Sequence, residues 1–186
     1  MQTAINLAAK SGDTLGGVIE IAILGVPPGL GSFSQWDSRL DSRLGAVILS
    51  VPGIKGIEIG EAFMNTKLPG TQVQDEILLK PNGFLSRSTN HAGGIEGGIS
   101  NGEPILLRAA MKPIPTTRSP QKSVDLSSGE CKQTIYERSD TCPVPRAVVI
   151  LESMVAFTIA DALINKIGGD SVNEMLPRYK SIRQTR

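Results

Sequence analysis

The sequence has little net charge, few aromatic side chains, two cysteines and one histidine. A formal net charge of +1 gives no electrostatic case for nucleic acid or an acidic membrane surface. Aromatic residues make up 4%, and Trp36 is the only tryptophan, which argues against base-stacking platforms. Cys131 and Cys142 are too few for a disulfide framework and lack metal-ligand spacing, so free thiols in a reducing compartment are expected. His91 is alone, which excludes a His-based metal cluster within the chain.

Familiar motifs and targeting segments are also missing. The sequence contains no GxSxG, P-loop, HExxH or dinucleotide fingerprint. Residues 1–10 lack the apolar core of a leader, and the longest apolar run, near 148–151, is short for a bilayer span. We therefore expect a compact cytoplasmic protein of one domain that acts on a small molecule, with a solvated, flexible tail at residues 178–186.

Apolar periodicity predicts helices and strands in mixed order. In residues 18–24, Ile19, Ile21 and Ile23 share one face and Glu20 lies on the other, which is typical of a half-covered strand. The same reasoning predicts further strands at 54–59, 76–79, 105–111 and 133–136, and helices at 2–11 and 36–50.

The most regular segment is the predicted helix at residues 147–167. Pro143 and Pro145 precede it, and Gly168 and Gly169 follow it, as the rules for helix ends require. Its apolar residues cover most of its circumference, so we expect it to be sandwiched between two layers of strands.

Residues 87–104 (RSTNHAGGIEGGISNGEP) show neither helical nor strand periodicity. Glycine allows positive φ and a close approach of ligand to main-chain amides, which favours a shaped, ligand-approaching loop. A long flexible turn is the alternative. This glycine-rich loop contains Gly93, Gly94, Gly97, Gly98 and Gly102.

Two further segments concentrate polar side chains. In KPIPT, two prolines would hold Lys112 and Thr116 on a stiff turn, suited to gripping phosphate or a flavin ring; the alternative is a strand exit with a solvated lysine. In ERSD, Arg138 offers a planar fork for an oxyanion and Asp140 a carboxylate. Asp140 could instead cap the following helix or form a surface ion pair. For His91, the alternative to a functional role is a solvent-exposed loop histidine.

These three segments, in this order, closely resemble the chorismate synthase family. The earlier segments GDTLGGVIE, GVPPGLG, VPGIKGIEIGEAF and DEI also match the family in order, so the resemblance spans nearly the whole chain. It corresponds to the C-terminal half of the usual family chain. The half that carries the family's two active-site histidines and several substrate-binding arginines has no counterpart here.

The resemblance implies a fold and an activity. The fold is α+β, a beta-alpha-beta sandwich with central helices between antiparallel sheets, of which about half is present in residues 1–186. The activity is that of a carbon–oxygen lyase in the shikimate pathway of aromatic amino acid biosynthesis. It eliminates phosphate from 5-enolpyruvylshikimate 3-phosphate in a 1,4-anti reaction to give chorismate, using reduced FMN. A cytoplasmic homotetramer is implied, with no nucleic acid, membrane or metal.

Site residues carried over from the family stand at matching positions. Asp140 matches the aspartate near the reactive edge of the flavin, with a role in tuning or relaying a proton. The matching flavin contacts are Pro52, Gly53, Gly97, Lys112, Pro113, Ile114, Pro115, Thr116 and Arg138. The alternatives are a flavin-binding or structural module without catalysis, and a flavin reductase using NADPH, for which no nicotinamide motif is present.

Overall fold

The structure, a computed structural model, describes residues 1–81 and 83–184. Its helices are α1 (Gln2–Ser11), α2 (Leu40–Leu49), α3 (Ala62–Asn65), α4 (Gly70–Val73), α5 (Val144–Ile167) and α6 (Val172–Gln184). Its strands are β1 (Gly17–Ile23), β2 (Ile54–Ile59), β3 (Ile77–Leu79), β4 (Leu85–Arg87), β5 (Ile95–Glu96), β6 (Ile99–Ser100), β7 (Ile105–Met111), β8 (Lys122–Val124) and β9 (Cys131–Gln133).

A three-stranded antiparallel sheet in the order β1-β7-β2 forms the centre of the fold. Ile19 pairs with Ala109, and Leu107 lies between Ile21 and Ile59, so that alternate residues face the helices. Ile19, Leu107 and Ala109 are buried, which confirms the face predicted from their period of two. The remaining strands pair as three separate ribbons, β3-β4, β5-β6 and β8-β9.

Helices α2 and α5 lie side by side on one face of this sheet, α2 against β2 and α5 against β1. Leu40, Leu44 and Ile48 of α2 are fully buried because residues four apart form one stripe along a helix. Leu151 and Val155 of α5 meet that stripe in a single hydrophobic core. The α+β class and the packing of helices on antiparallel strands are therefore confirmed.

Helix α5 is covered on one side within the described residues. Ala147, Leu151 and Val155 are buried, whereas Val149 and Phe157 are 63% and 76% exposed. We predicted that α5 is buried between two layers, but within the described residues it is buried only on the side that faces the sheet. Helix α5 has 24 residues and contains an 18-residue window with a mean hydropathy of 2.1, so by length and composition it could span a membrane. This corrects the prediction that the longest apolar run is too short for a bilayer span. A core helix of a soluble protein shares these properties, so the absence of a membrane remains a prediction.

Several sequence-based boundaries differ from the structure. Helix α5, predicted from residue 147, begins at Val144, the strand predicted at 18–24 is shifted by one residue, and the strand predicted at 76–79 begins one residue later. The helix predicted from residue 36 begins at Leu40, after a series of turns. The strand predicted at 133–136 lies at Cys131–Gln133, because pairing with Lys122–Val124 decides which residues are extended. Helix α6 continues to Gln184, while residues 185 and 186 of the predicted flexible tail lie outside the described residues.

A buried carboxylate ties the sheet to α3. Glu58 is 7% exposed; its Oε2 accepts a hydrogen bond from Arg108 Nη1 at 2.8 Å, and its Oε1 accepts one from the amide of Phe63 at 2.9 Å. Arg108 Nε also lies 3.5 Å from Glu20 Oε1, on the far side of β7. The register places these three side chains in one row, so the charges alternate across the sheet.

The Glu58 contacts should contribute measurably to stability. We expect Glu58→Ala to lower the free energy of unfolding by about 2 kcal/mol, because an amide and a guanidinium lose their acceptor. Urea unfolding followed by circular dichroism measures this. Glu20→Ala is the control and should cost less than about 0.5 kcal/mol, because that carboxylate is exposed. Equal losses for the two variants would contradict the assignment.

Candidate functional site

Most of the predicted site residues lie at one end of the central sheet. Strand β7 is antiparallel to both neighbours, so its last residue, Met111, lies opposite the first residues of the other two, Gly17 and Ile54. The turn that precedes β2 is therefore adjacent to the segment that follows β7. The amide of Lys112 donates a hydrogen bond of 2.9 Å to the carbonyl of Gly53. The structure thus brings Pro52 and Gly53 together with residues 112–116.

Residues 12–16 support the same segment from the other side. A Cβ atom on Gly16 would lie 2.1 Å from the carbonyl oxygen of Met111, so only glycine permits this approach. The hydroxyl of Thr14 donates to the carbonyl of Ile114 at 2.5 Å. Thr14 is buried, and this contact anchors the stiff KPIPT turn to the start of β1.

The ERSD segment joins this end of the sheet through hydroxyl and backbone contacts. Thr116 Oγ1 donates to Ser139 Oγ at 2.7 Å, and the amide of Leu15 donates to the carbonyl of Thr141 at 2.8 Å. A small polar cavity of about 110 Å³ lies between these segments, with Thr14, Thr116, Ser139 and Asp140 in its wall.

A larger cavity lies on the other side of residues 115–117. Its volume is about 450 Å³, and the β8-β9 ribbon forms its far wall through Ser123, Val124 and Lys132. This volume falls within the range of small-molecule sites, about 300–1,000 Å³, whereas the small cavity does not. Thr116 lines both cavities.

Asp140 is held by an ion pair rather than by a capping contact. Its Oδ2 lies 2.8 Å from Arg146 Nη1, on the first turn of α5. The N-cap of α5 is Pro143, and no side chain makes a capping hydrogen bond there. The helix-cap alternative is therefore wrong and the ion pair is present, while the role of Asp140 at a flavin stays a prediction.

Two cations at this end have no acidic partner. Within residues 1–81 and 83–184, neither Lys112 nor Arg138 lies in a salt bridge, and both are exposed. Such side chains remain available to an anionic group, since no carboxylate neutralises them.

The glycine-rich loop lies at the opposite end of the sheet. Gly97 and Gly98, with φ of 60° and 87°, form the two-residue turn between β5 and β6, a geometry that requires glycine-like freedom. The carbonyl of Gly98 accepts the amide of Leu40 at the start of α2, whereas Gly53 lies beyond the end of α2. The seven-residue strand β7, about 20 Å long, therefore separates Gly97 from Lys112. Within one chain, the glycine-rich loop therefore does not lie beside Lys112.

His91 and Asp75 anchor the start of this loop. His91 Nδ1 lies 2.6 Å from Glu61 Oε2, so the histidine is partnered and three-quarters buried rather than free in solvent. The carboxylate of Asp75, in a residue 8% exposed, accepts hydrogen bonds from Thr89, His91 and Ala92. The sequence analysis did not identify Asp75 as a site residue. Its position in the DEI segment, which matches the family, could have indicated it.

Its surroundings favour the ionised form of Asp75. Burial is the largest single effect and acts against ionisation. The hydrogen bonds from Thr89, Ala92 and His91 and the charge of His91 outweigh it, so the pKa of Asp75 lies below its usual value. A lowered pKa means that this carboxylate stabilises the fold above the pKa of the unfolded chain, about 3.9, and that the contribution is lost as pH falls through the folded-state pKa.

Comparisons with known proteins agree in naming one family. The family model described as chorismate synthase matches residues 1–164. A chorismate synthase of Pelobacter propionicus is 51% identical over 187 residues, covering 97% of this chain and 48% of that protein. One of Caldanaerobacter subterraneus subsp. tengcongensis is 54% identical over 175 residues, covering 94% and 50%.

A solved structure of a chorismate synthase has the same fold. It matches with a TM-score of 0.80 and 39% identity, over 99% of this chain and 48% of the other. The chain spans about half the length of the relatives that it matches. By family match, by identity and by fold, this chain belongs to the chorismate synthase family.

Proposed function

We propose that this chain supplies part of the active site of a chorismate synthase, which eliminates phosphate from 5-enolpyruvylshikimate 3-phosphate with reduced FMN. The single observation that supports this most is the convergence at one end of the sheet. Gly53, Lys112 and Thr116 lie together there with residues 138–140, although long stretches of sequence separate them. These segments are the ones that match the family's flavin contacts.

The residues at this end fit a flavin with a phosphate group. Gly53 has a φ of 86°, a backbone conformation that favours glycine in the turn before β2. Lys112 and Arg138 offer unpaired positive charge, and Thr116 and Ser139 offer hydroxyl groups beside a cavity of about 450 Å³ and one of about 110 Å³. When bound, reduced FMN supplies the electron density that assists loss of phosphate.

The chain's own side chains have distinct roles in this proposal. Lys112 and Arg138 bind and orient anionic oxygens of cofactor or substrate. Arg146 engages Oδ2 of Asp140 and fixes its orientation, which leaves Oδ1 to hold or pass on a proton. The two cations also favour the departing phosphate, because their positive charge stabilises the negative charge that it carries.

The site is completed by the remaining half of a family-length protein. This chain covers 48% of the Pelobacter propionicus relative, and the outer face of α5 exposes Val149 and Phe157. In this proposal, the other half of a family-length protein would cover this apolar face and supply the family's histidines and arginines. A homotetramer in the cytoplasm remains a prediction for the whole assembly.

The half-length match to the relatives also favours a second candidate function. Without its complementary half, the chain would be a flavin-binding or structural module that does not turn over substrate. The exposed face of α5 and the half-length match support this reading for the isolated chain.

Reconstitution separates the two candidates. We expect chorismate from the chain mixed anaerobically with reduced FMN, 5-enolpyruvylshikimate 3-phosphate and the complementary half of the Pelobacter propionicus protein, and none from the chain alone. Chromatography of the products measures this. The Pelobacter propionicus protein, divided at the same place and recombined, is the matched control. If that control is active and the mixed pair is not, the proposed function is wrong.

Lys112 should contribute to flavin affinity in the reconstituted pair. We expect Lys112→Ala to raise the Kd for FMN about tenfold or more, because a charge-assisted contact contributes about 1.5–3 kcal/mol. Flavin fluorescence titration measures it. Lys67→Ala removes an equal charge after α3, at the other end of the sheet, and should leave the Kd unchanged. An unaltered Kd for Lys112→Ala would remove this residue from the site.

Asp140 should affect turnover rather than flavin binding. We expect Asp140→Asn to lower kcat by about 10²-fold or more, because proton transfer loses its carboxylate, while the Kd for FMN changes less than about threefold. Steady-state kinetics and titration of the same preparation measure both. Asp170→Asn, an exposed carboxylate after α5, serves as the control. Normal turnover in Asp140→Asn would exclude the residue from the mechanism.

A further inference from the structure

One buried carboxylate accepts three hydrogen bonds from three residues of the four-residue stretch 89–92. Oδ1 of Asp75 accepts from Thr89 Oγ1 at 2.6 Å and from the amide of His91 at 2.8 Å. Oδ2 accepts from the amide of Ala92 at 2.9 Å. All three partners donate, so a carboxylate satisfies them, whereas an amide side chain would direct its own N–H groups toward one of these donors. Asp75 therefore fixes the path of residues 89–92.

The same residue is connected to the tip of the loop through Arg87. Arg87 Nη1 donates to the carbonyl of Asp75 at 3.1 Å, and its Nη2 donates to the carboxylate of Glu96. Asn101 Nδ2 also donates to Glu96 Oε2, at 2.9 Å. Glu96 immediately precedes Gly97. The first residues of the loop and the β5-β6 turn are thus braced against each other.

The ends of the loop are closed by two further contacts. Asn90 Nδ2 donates to the carbonyl of Pro104 at 2.9 Å, and the amide of Arg87 donates to Glu103 Oε1 at 3.0 Å. A Cβ atom on Gly93 would lie 2.2 Å from the amide nitrogen of Gly60, so the loop packs directly on the end of β2. Around Gly97, in contrast, a Cβ atom would meet nothing within 4 Å. The two ends of the loop are therefore held in place by these contacts, while the turn at Gly97 has open space around it.

We propose that the carboxylate of Asp75 is a positioning residue that holds the glycine-rich loop in the shape in which Gly97 contacts flavin. The inference rests on the proposed function, in which Gly97 belongs to the flavin site. Because β7 separates Gly97 from Lys112 within one chain, a flavin that touches residues of both kinds would take them from two different chains of the assembly. A loop held in one conformation makes that contact at a lower entropic cost.

Hydrogen exchange in the 186-residue chain tests the hold on the loop. We expect Asp75→Asn to accelerate exchange of the His91 and Ala92 amides about tenfold or more, while amides of β7 keep their protection. Glu76→Gln, the neighbouring exposed carboxylate, is the matched control and should change neither. Thr89→Ala, which removes one donor of the three, is the milder variant and should give a smaller acceleration. Unchanged exchange in both loop variants, or equal acceleration in β7, overturns the proposal.

A pH profile separates positioning from a general structural role. Among the described residues, the charged groups at this cluster are Arg87 and His91, together with Glu61, which contacts His91, and Glu96 and Glu103, which contact Arg87. In the unsubstituted chain, amide chemical shifts of His91 and Ala92 should titrate with Asp75 below about pH 4, and in Asp75→Asn that step should vanish. A step that persists in Asp75→Asn overturns the assignment.

Flavin titration of the reconstituted pair completes the test. We expect Asp75→Asn to raise the Kd for FMN about fivefold or more and Glu76→Gln to leave it unchanged. A loop that exchanges faster with no loss of flavin affinity overturns the positioning role. If the unsubstituted pair binds no FMN, the proposed function itself fails, and the exchange and pH results still decide whether Asp75 holds the loop.

Discussion

Antiparallel pairing of β7 between β1 and β2 is the constraint on which the rest of the structure depends. The shared register aligns Ile19, Leu107 and Ala109 toward α2 and α5, and it aligns Glu20, Arg108 and Glu58 on the opposite face. It also places predicted site residues at two ends of the sheet. At one end, the segments that precede β1 and β2 meet the segment that follows β7, and this forms part of the candidate flavin site.

Close backbone contact strengthens both ends. At one end Gly16 lies against the carbonyl of Met111, and at the other Gly93 lies against Gly60. Side chains at these positions would force the segments apart, so the glycines act through packing as much as through flexibility. The loop between residues 87 and 104 is also held by hydrogen bonds, which Asp75 accepts from outside the loop and Glu96 accepts from within it.

Helix α5 contributes one of its faces to the core and leaves the opposite face exposed. One stripe, including Leu151 and Val155, completes the core with α2, and the opposite stripe remains exposed. Its amino-acid composition is that of a helix covered on both sides. The relatives, about twice as long, provide the chain length for a second layer.

The sequence by itself determined the elements with strong local periodicity: the inward face of β1 and β7, the buried stripe of α2, the limits of α5 near its prolines and glycines, and the family. These follow from short-range patterns and from motifs read in order. Tertiary structure alone decided that Gly97 and Lys112 lie at opposite ends of β7, that Arg146 partners Asp140, and that Asp75 organises the glycine-rich loop. Some of these contacts join residues that are distant in sequence, and others could form with any of several similar charged residues. The local sequence pattern does not show which two residues will be in contact.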